Sequence, residues 1–272
     1  MTPHDESGTP HPRRGTRERR LRMAQLVAEQ GSPISLHELQ DRFDVSEATL
    51  RRDLAALSKD GKLVRVYGGV APGRPAETTW REKAAAHADS KMRIAQFVAS
   101  ELISPGDVVF IDSGTTPAAV ARQLAHREDV TVVVAGLAAL LELADGAPNV
   151  IVLGGRFRRR SASFLGQAAD LLLDMVSPDV AILGTDMLDP HLGANYPELG
   201  QAIFKARVIG RSTTSWFVGD ESKIGHPPPF RHWTPIKAPA GIVTVRPSHQ
   251  AGLDAIEAFR GAGVGVHVVA PQ

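Results

Sequence analysis

The stretch of sequence that decides the N-terminal fold is Val45-Ser46-Glu47-Ala48-Thr49-Leu50-Arg51-Arg52-Asp53-Leu54. Ser46 stands where the N-cap of a helix belongs, because its hydroxyl can accept a backbone N–H of the first turn. Leu50, Leu54 and Leu57 recur at positions i, i+4 and i+7, which predicts a helix with one apolar face. That face must be buried, so the helix packs against neighbouring elements.

The opposite face of this helix carries two cations among small side chains. At about 100° per residue, Arg52 and Lys59 point away from the leucines, and alanines flank them. An arginine on such a face can donate two parallel hydrogen bonds to guanine in the major groove, and the methyl group of Thr49 can contact thymine. The alternative is an ordinary solvated helix face, and the neighbouring elements decide between the two.

Those neighbours predict a winged helix-turn-helix. A first helix is predicted over residues 16–30 and a shorter one over residues 35–43, and the tight connection Asp44-Val45 leads into the reading helix. Asp60-Gly61 ends the reading helix. Residues 62–67 are rich in β-branched side chains and predict a strand of the wing, which runs into Gly68-Gly69. A DNA-binding domain is therefore predicted over residues 16–71.

The residues that this arrangement would bring to DNA belong to a basic arm, the reading helix and the wing. They are Arg19, Arg20, Ser46, Thr49, Arg51, Arg52, Lys59, Arg65 and Tyr67. Arg52 and Thr49 would read bases, whereas most of the others would hold phosphates or support the helix. Residues 1–74 contain 13 Lys and Arg against 10 Asp and Glu, an excess that suits a phosphate backbone.

Composition excludes several classes of protein. With 272 residues, 43% of them hydrophobic, the chain can form one or two packed domains. It contains no cysteine, which excludes disulfides, thiolate metal sites and cysteine nucleophiles. No apolar run approaches the ~18 residues of a membrane span, and the N-terminus lacks the apolar core of a secretory signal. We expect a cytoplasmic protein that does not contact a membrane.

The remaining sequence predicts an α/β domain. Residues 1–15 are predicted to be a disordered tail, and residues 72–81 a linker. After a long helix at 82–103, helices alternate with apolar strands, which are predicted at 108–111, 130–134, 150–153, 180–183, 215–218, 242–245 and 264–269. Strands that are apolar throughout indicate a parallel sheet covered on both faces. A doubly wound parallel sheet is therefore predicted over residues 82–272.

Three sets of residues in this domain are of the types that bind anions. The loop Asp112-Ser113-Gly114-Thr115-Thr116 precedes a helix opened by Pro117, and a helix N-terminus favours an anion. The alternative for this loop is a helix cap without a ligand. Gly154-Gly155 and the arginines that follow can cradle phosphate. The third set is Lys205 with Asp220-Glu221-Ser222-Lys223.

Both halves of the chain resemble one family. Residues 45–54, with the wing that ends in Arg65-Val66-Tyr67-Gly68-Gly69, are similar to the DNA-binding domain of DeoR-family bacterial repressors, whose pattern is V-S-x-x-T-hydrophobic-R-R-D-L followed by R-V-x-G-G. The loops of the second half resemble that family's effector-binding domain in order and spacing. The residues expected at the effector, from the loops and the resemblance together, are Asp112, Ser113, Gly114, Thr115, Thr116, Gly154, Gly155, Arg156, Arg158, Asp186, Lys205, Asp220, Ser222 and Lys223.

The resemblance implies a fold like that of ribose-5-phosphate isomerases and CoA transferases, used to sense phosphorylated sugars or related metabolites. The chain departs from the family pattern at Tyr67 (usually His), Val134-Ala135 (usually Thr-Asn), Met187 (usually Gly) and Val245 (an expected Asp). Losing an asparagine amide removes a donor and an acceptor from a small polar site. We expect phosphate anchoring to persist while recognition of sugar hydroxyls changes.

The sequence offers little support for a metal site or for an enzyme. The ten histidines show no metal-binding spacing, so no metal or cofactor is expected. Ser113 lacks the glycine pattern of a nucleophile elbow, which speaks against a hydrolase. The serious alternative is a sugar-phosphate isomerase-like enzyme with an accessory DNA-binding domain, in which Asp112, Asp186 or Glu198 would be the base. An intact DNA-reading domain speaks against that alternative.

We therefore expect a transcriptional regulator rather than an enzyme. It would repress a carbohydrate or related catabolic operon, bind double-stranded operator DNA and respond to a phosphorylated sugar or similar small anionic metabolite. One short recognition helix reads few base pairs, so useful affinity needs paired half-sites. A homodimer or homotetramer is expected for that reason.

Overall fold

The computed structural model divides the chain into two compact units, Met1–Ala76 and Glu77–Gln272. The structure describes residues 14–30, 32–59, 61–73 and 77–270. Some of the predictions lie outside these residues: nearly all of the tail at 1–15, the role of Asp60 in ending the reading helix, and residues 74–76 of the linker.

The first unit is a winged helix-turn-helix, as predicted. Its elements are α1 (Arg14–Gln30), β1 (Ile34–Ser35), α2 (Leu36–Phe43), α3 (Glu47–Lys59), β2 (Leu63–Val66) and β3 (Gly69–Pro72). The strands pair antiparallel in the order β1-β3-β2. Glycine is required at position 69, because a Cβ there would lie 2.1 Å from the carbonyl oxygen of Ile34 in the neighbouring strand.

One apolar core joins the elements of this unit. Its buried members are Met23, Val27, Ile34, Leu39, Leu50, Leu54, Leu57, Leu63 and Val70. The predicted leucine face of α3 is therefore inside the domain. Ser46 caps α3, since its hydroxyl accepts the backbone N–H of Thr49 at 3.3 Å. Asp44 turns the chain between α2 and α3 with a φ of 46°.

The second unit is built around a seven-stranded sheet. Its helices are α4 (Trp80–Ala85), α5 (Ala88–Glu101), α6 (Thr115–Leu124), α7 (Leu137–Leu143), α8 (Gln167–Asp174), α9 (Leu199–Arg211) and α10 (Gln250–Gly261). Its strands are β4 (Val108–Ile111), β5 (Thr131–Val134), β6 (Asn149–Val152), β7 (Arg156–Arg158), β8 (Ser163–Leu165), β9 (Val180–Gly184), β10 (Met187–Asp189), β11 (Gly193–Tyr196), β12 (Thr214–Val218), β13 (His232–Thr234), β14 (Ala240–Val245) and β15 (Gly265–Val269).

The seven strands lie in the order β15-β14-β12-β9-β4-β5-β6, and all of their pairings are parallel. The chain winds outward from β4 through β5 and β6, and then outward from β9 in the other direction. Side chains alternate between two apolar layers: Val109 and Ile111 pack with α5 and α6, whereas Phe110 packs with α9. This is the predicted doubly wound sheet. Its topological switch point lies between β4 and β9.

The prediction of one continuous helix over residues 82–103 is wrong. Helix α4 ends at Ala85, Ala86 is extended, and His87 has a φ of 54° before α5 begins. The Lys91 ammonium donates to the carbonyl oxygens of Lys83 and Ala86, so it ties the end of α4 to α5. The predicted linker also extended too far, since α4 begins at Trp80.

Several short elements were not predicted. These are the β7–β8 hairpin, helix α8 and a small antiparallel sheet in the order β10-β11-β13. Strands of three or four residues leave too short a pattern to be recognised against loops. Within the described part of the chain, no helix combines the length and apolarity that a membrane span requires.

Candidate functional site

A cavity of about 230 Å³ opens beyond the carboxyl ends of β4, β9 and β12. Ligands of open α/β sheets bind at such a switch point. Ten of the predicted effector residues line the cavity: Asp112, Ser113, Gly114, Thr115, Thr116, Asp186, Lys205, Asp220, Ser222 and Lys223. The sheet thus brings together loops that are up to about 110 positions apart in the sequence, as expected for parallel strands.

An ion pair between Lys205 and Asp112 forms the floor of this cavity. Their side chains are only 2% and 1% exposed. Asp112 also accepts the backbone N–H groups of Ser113 at 2.6 Å and Gly184 at 2.9 Å. One cation and two amide donors fix this buried carboxylate in position.

The loop at residues 113–116 is shaped by close backbone packing. Gly114 has a φ of 132° and precedes the first turn of α6. A Cβ at Gly136 would lie 2.7 Å from the Cα of Ser113, and a Cβ at Gly184 would lie 2.8 Å from its carbonyl oxygen. Because neither glycine has a side chain, the backbone on either side can pack directly against Ser113 and fix the loop. The N-terminus of α6 therefore faces the cavity with the partial positive charge that attracts anions.

Two further lysines, which the sequence analysis did not identify, also line the cavity. Lys83 on α4 pairs with Asp186. Lys91 on α5 donates to two carbonyl oxygens, and its burial lowers its pKa, an effect that the charge of Asp220 opposes. In the sequence, neither is distinguishable from a solvated lysine on an amphipathic helix. The break at Ala86, which no periodicity signals, turns both toward the cavity.

Lys223 differs from the other three lysines. Its side chain makes no hydrogen bond or ion pair with the residues that the structure describes, whereas the side chains of Lys83, Lys91 and Lys205 each have a partner. It follows the turn in which Asp220 accepts the hydroxyl and backbone N–H of Ser222. Lys223 is thus the cation that is available to neutralise an anion in the cavity.

The structure does not bring Gly154, Gly155, Arg156 and Arg158 to this cavity. They begin the β7–β8 hairpin, where a Cβ at Gly155 would lie 2.8 Å from the carbonyl oxygen of Leu165. Arg158 donates to Glu77 at 2.6 Å and pairs with Glu198 at 2.9 Å. The hydrogen bond from Glu77 raises the pKa of Arg158. These two carboxylates neutralise the charge of Arg158. The geometry therefore does not support the prediction that these four residues bind the effector.

Tyr196 and Asn195 use their polar groups for structural contacts. The Tyr196 hydroxyl donates to the carbonyl oxygen of Gly184 at 3.0 Å, and burial raises the pKa of that phenol well above its ordinary value. The Asn195 amide donates to the carbonyls of Phe230 and His232 and accepts the N–H of Phe230 at 2.9 Å. Asn195 therefore anchors the proline-rich loop at 226–230.

His87, Asp220 and Glu221 are the residues, within the described part of the chain, whose ligand atoms cluster as in a metal site. The His87 Nδ1 atom lies 2.8 Å from Glu221 Oε1 and 3.9 Å from Asp220 Oδ1. Burial would raise the pKa of Glu221, but hydrogen bonds from its own backbone and from Ser90 and His87 outweigh it and lower that pKa. The hydrogen bonds account for the cluster without an ion.

In the first unit, α3 exposes the face that carries Arg52 and Lys59. Arg52 and Lys59 are exposed, and neither forms a side-chain hydrogen bond or ion pair with the residues that the structure describes. Arg51 pairs with Glu47 at 2.6 Å, and the Thr49 and Ser46 hydroxyls lie 2.9 Å apart. Arg65 and Tyr67 are exposed on the wing. Arg52 is therefore free to donate to a base, whereas Arg51 is held along its own helix.

Arg19 and Arg20 bind a carboxylate of the reading helix. Both lie 2.7 Å from Asp53, whose side chain is 2% exposed. The two arginines of α1 thus anchor α3, which is the supporting role that the sequence left open beside phosphate contact. The sequence did not identify Asp53 as their partner, because the residues lie more than 30 positions apart.

Comparison with known proteins identifies the family to which this chain belongs. Residues 19–72 match the family model of the DeoR-like helix-turn-helix domain, and residues 86–244 match that of the DeoR C-terminal sensor domain. The chain belongs to the DeoR family of transcriptional regulators, which confirms the resemblance found in the sequence.

The names of individual relatives are consistent with this family assignment. The chain is 32% identical to the HTH-type transcriptional regulator GlpR of Haloferax volcanii, over 76% of this chain and 82% of the relative. It is 33% identical to the glycerol-3-phosphate regulon repressor of Escherichia coli, over 74% and 80%. These relatives bear the names of regulators and not of enzymes. Among solved structures, ribose 5-phosphate isomerase A of Methanocaldococcus jannaschii aligns over 51% of this chain and 55% of that chain, with 18% identity and a TM-score of 0.38.

Proposed function

We propose that this protein represses a carbohydrate or related catabolic operon and that a phosphorylated sugar or similar small anionic metabolite controls it. The main observation that supports the proposal is the cavity at the switch point, which is lined by both the N-terminus of α6 and Lys223. Helix N-termini and lysines are the groups that bind phosphate in proteins. A relative named for a glycerol-3-phosphate regulon is consistent with an anionic effector.

The DNA-binding half of the proposal rests on α3 and the wing. Arg52 and Thr49 would read base edges in the major groove, while Lys59, Arg65 and Tyr67 contact the backbone. Phosphate contacts make affinity fall as salt rises. Double-stranded operator DNA, bound by a homodimer or homotetramer in the cytoplasm, is the partner that we propose.

Helix α4 offers a route by which the effector could act on DNA binding. It lines the cavity through Trp80 and Lys83, and it is the first element of the second unit after the segment that joins the two units. An effector hydroxyl that binds Asp186 would compete with Lys83 for that carboxylate. Occupancy would then shift α4 and, through chain continuity, the reading domain. Such a shift is an energetic coupling between two sites.

The contacts of the candidate bases disfavour the isomerase alternative. Asp112 is paired with Lys205, Asp186 with Lys83 and Glu198 with Arg158. A general base must reach the substrate proton with a free carboxylate oxygen, whereas each of these carboxylates already binds a lysine or an arginine. We expect no turnover of pentose or hexose phosphates.

The test of the proposed function combines DNA and ligand. A gel shift with DNA from upstream of the chain's own gene should show a preference over scrambled DNA that weakens with salt. A thermal-shift screen with sugar phosphates should identify a compound that raises the melting temperature of the second unit and changes that gel shift. Binding to no site near the gene would overturn the repressor proposal. Stabilisation by uncharged sugars alone would overturn the anionic effector.

A further inference from the structure

We propose that the outer surface of α8 and α9 is an interface with a second copy of this chain. Five large apolar side chains form this surface, here called the α8/α9 face: Leu171, Leu172, Met175, Leu199 and Ile203. They are between 41% and 81% exposed. They are five of the nine exposed large apolar side chains that the structure describes in residues 77–270.

The two helices form one continuous surface. Arg207 on α9 donates to Asp174 at the end of α8 at 2.9 Å, and Arg211 donates to the carbonyl oxygen of Asp174 at 2.6 Å. Ile203 lies one helical turn before Arg207, and Met175 follows Asp174 directly. Ile203 and Met175 therefore lie within one helical turn of the ion pair that joins the two helices.

The charge of the α8/α9 face favours contact with an identical surface. The hydrogen bond between Arg207 and Asp174 raises the pKa of the arginine and lowers that of the aspartate, so both stay ionised and neutralise each other. Two copies can then meet about a twofold axis without like-charge repulsion. Among the residues that the structure describes, Cβ atoms at Gly200 and Gly210 would meet nothing within 4 Å, so the outer surface of α9 is open to a neighbouring helix.

The size of the face matches the apolar centre of an interface. The five side chains expose on the order of 500 Å² together, which is at the upper end for the largest patch of a monomer. A stable interface buries about 800 Å² per partner, with a polar rim around such a centre. A second copy is the occupant that fits, because a regulator with one reading helix needs a partner to reach paired half-sites.

The same helix also lines the effector cavity. Gln201 and Lys205 of α9 are buried and line the cavity, whereas Leu199 and Ile203 are exposed on its other side. One rigid element therefore connects the effector site with the proposed interface.

This proposal rests on the homo-oligomer of the proposed function, and analytical ultracentrifugation of the full chain tests it without DNA or effector. A monomeric wild type would overturn both, whereas a wild type that associates without using the α8/α9 face would overturn this proposal alone. The wild-type chain should associate at micromolar concentration. Ile203→Glu and Leu171→Glu should each raise the dissociation constant of one association step by about 30-fold or more, because the interface would bury a charge. Leu141→Glu is the matched control, since Leu141 is 62% exposed on α7, and it should associate like the wild type.

A cross-link gives an independent measurement. Because the chain has no cysteine, Ala206→Cys introduces one thiol on the outer surface of α9, and oxidation should produce a covalent dimer. Leu141→Cys should remain monomeric on a non-reducing gel. A wild-type chain that stays monomeric, or an Ile203→Glu variant that folds and associates like the wild type, would overturn the proposal. Selective cross-linking at Leu141→Cys would do so as well.

Discussion

Lys205 and Asp112 form an ion pair that is almost entirely removed from water, at the floor of a cavity that must admit a small molecule. Removing two charges from water is costly, and their attraction repays that cost only when the remaining hydrogen-bonding capacity is also satisfied. The backbone N–H groups of Ser113 and Gly184 meet this condition for Asp112. The pair is therefore part of the framework of the site before any ligand binds.

Breaking this pair on one side should destabilise the second unit. Lys205→Met leaves Asp112 buried without a cation and should lower the free energy of unfolding by about 3–5 kcal/mol. Adding Asp112→Asn should recover part of that loss, because no buried charge remains. Urea unfolding followed by tryptophan fluorescence reports on this unit, since Trp80, Trp216 and Trp233 all lie in it. Lys83→Met is the control, and its more exposed pair should cost about 1 kcal/mol or less.

Arg52 should contribute to the preference of the protein for a specific DNA sequence. Arg52→Ala should weaken binding to the chain's own upstream DNA by about 1–3 kcal/mol if the guanidinium makes a bidentate base contact. Binding to a scrambled duplex should change far less, because only a phosphate contact is sequence-independent. Fluorescence anisotropy with both duplexes at fixed salt measures the difference. An equal loss on the two duplexes would assign Arg52 to the phosphate backbone.

Arg19 should act through Asp53 and not through DNA. Arg19→Ala removes one of two cations from a buried carboxylate and should destabilise α3 by about 1.5–3 kcal/mol. Hydrogen exchange of the α3 amides in the intact chain measures this loss. Arg22→Ala is a matched control on the same helix, because its pair with Glu18 is exposed and contributes little. If the salt slope of DNA binding falls by about one in Arg19→Ala, then Arg19 contacts a phosphate.

Glu221 should make stability depend on acidic pH. Its pKa in the folded protein lies below the ordinary value of 4.5. The carboxylate therefore stabilises the fold above that value, and the stabilisation is lost as the pH falls through the folded pKa. Glu221→Gln should cost about 0.5–1 kcal/mol at pH 7, and the difference from the wild type should shrink below pH 4.5. Unfolding measured between pH 3 and pH 7 tests this, and Glu128→Gln, at an exposed glutamate, is the control for the removal of a surface carboxylate.

Gly136 should affect the cavity although it is not one of the residues that line it. Gly136→Ala places a methyl group against the backbone of Ser113, and such overpacking costs about 1–3 kcal/mol. The displaced loop should also bind inorganic phosphate more weakly in a thermal-shift titration. Gly261→Ala meets no neighbour and should be neutral or slightly stabilising. Unchanged phosphate binding in Gly136→Ala would place the anion away from this loop.

Much of the candidate site was predictable because its residues belong to short local motifs. The loop at residues 112–116 could be recognised from a strand, a glycine and a helix start in immediate succession. Arg158 shows where this reasoning fails. Its neighbours in sequence suggested a phosphate cradle, but two carboxylates that lie far from it along the chain neutralise it.

By itself, the sequence determined the two domain types, the leucine face of α3, the alternation of strands and helices, and the family. Each of these depends on periodicity or on residues within one helical turn or one loop, which are local properties of the chain. Only the tertiary structure decided which cations serve the fold and which remain available. Arg19, Arg20, Arg158 and Lys205 acquire their roles from carboxylates at least 33 positions away, at Asp53, Glu77 and Asp112. The charge of a side chain can be read from its identity, but the partner that neutralises it is set by packing.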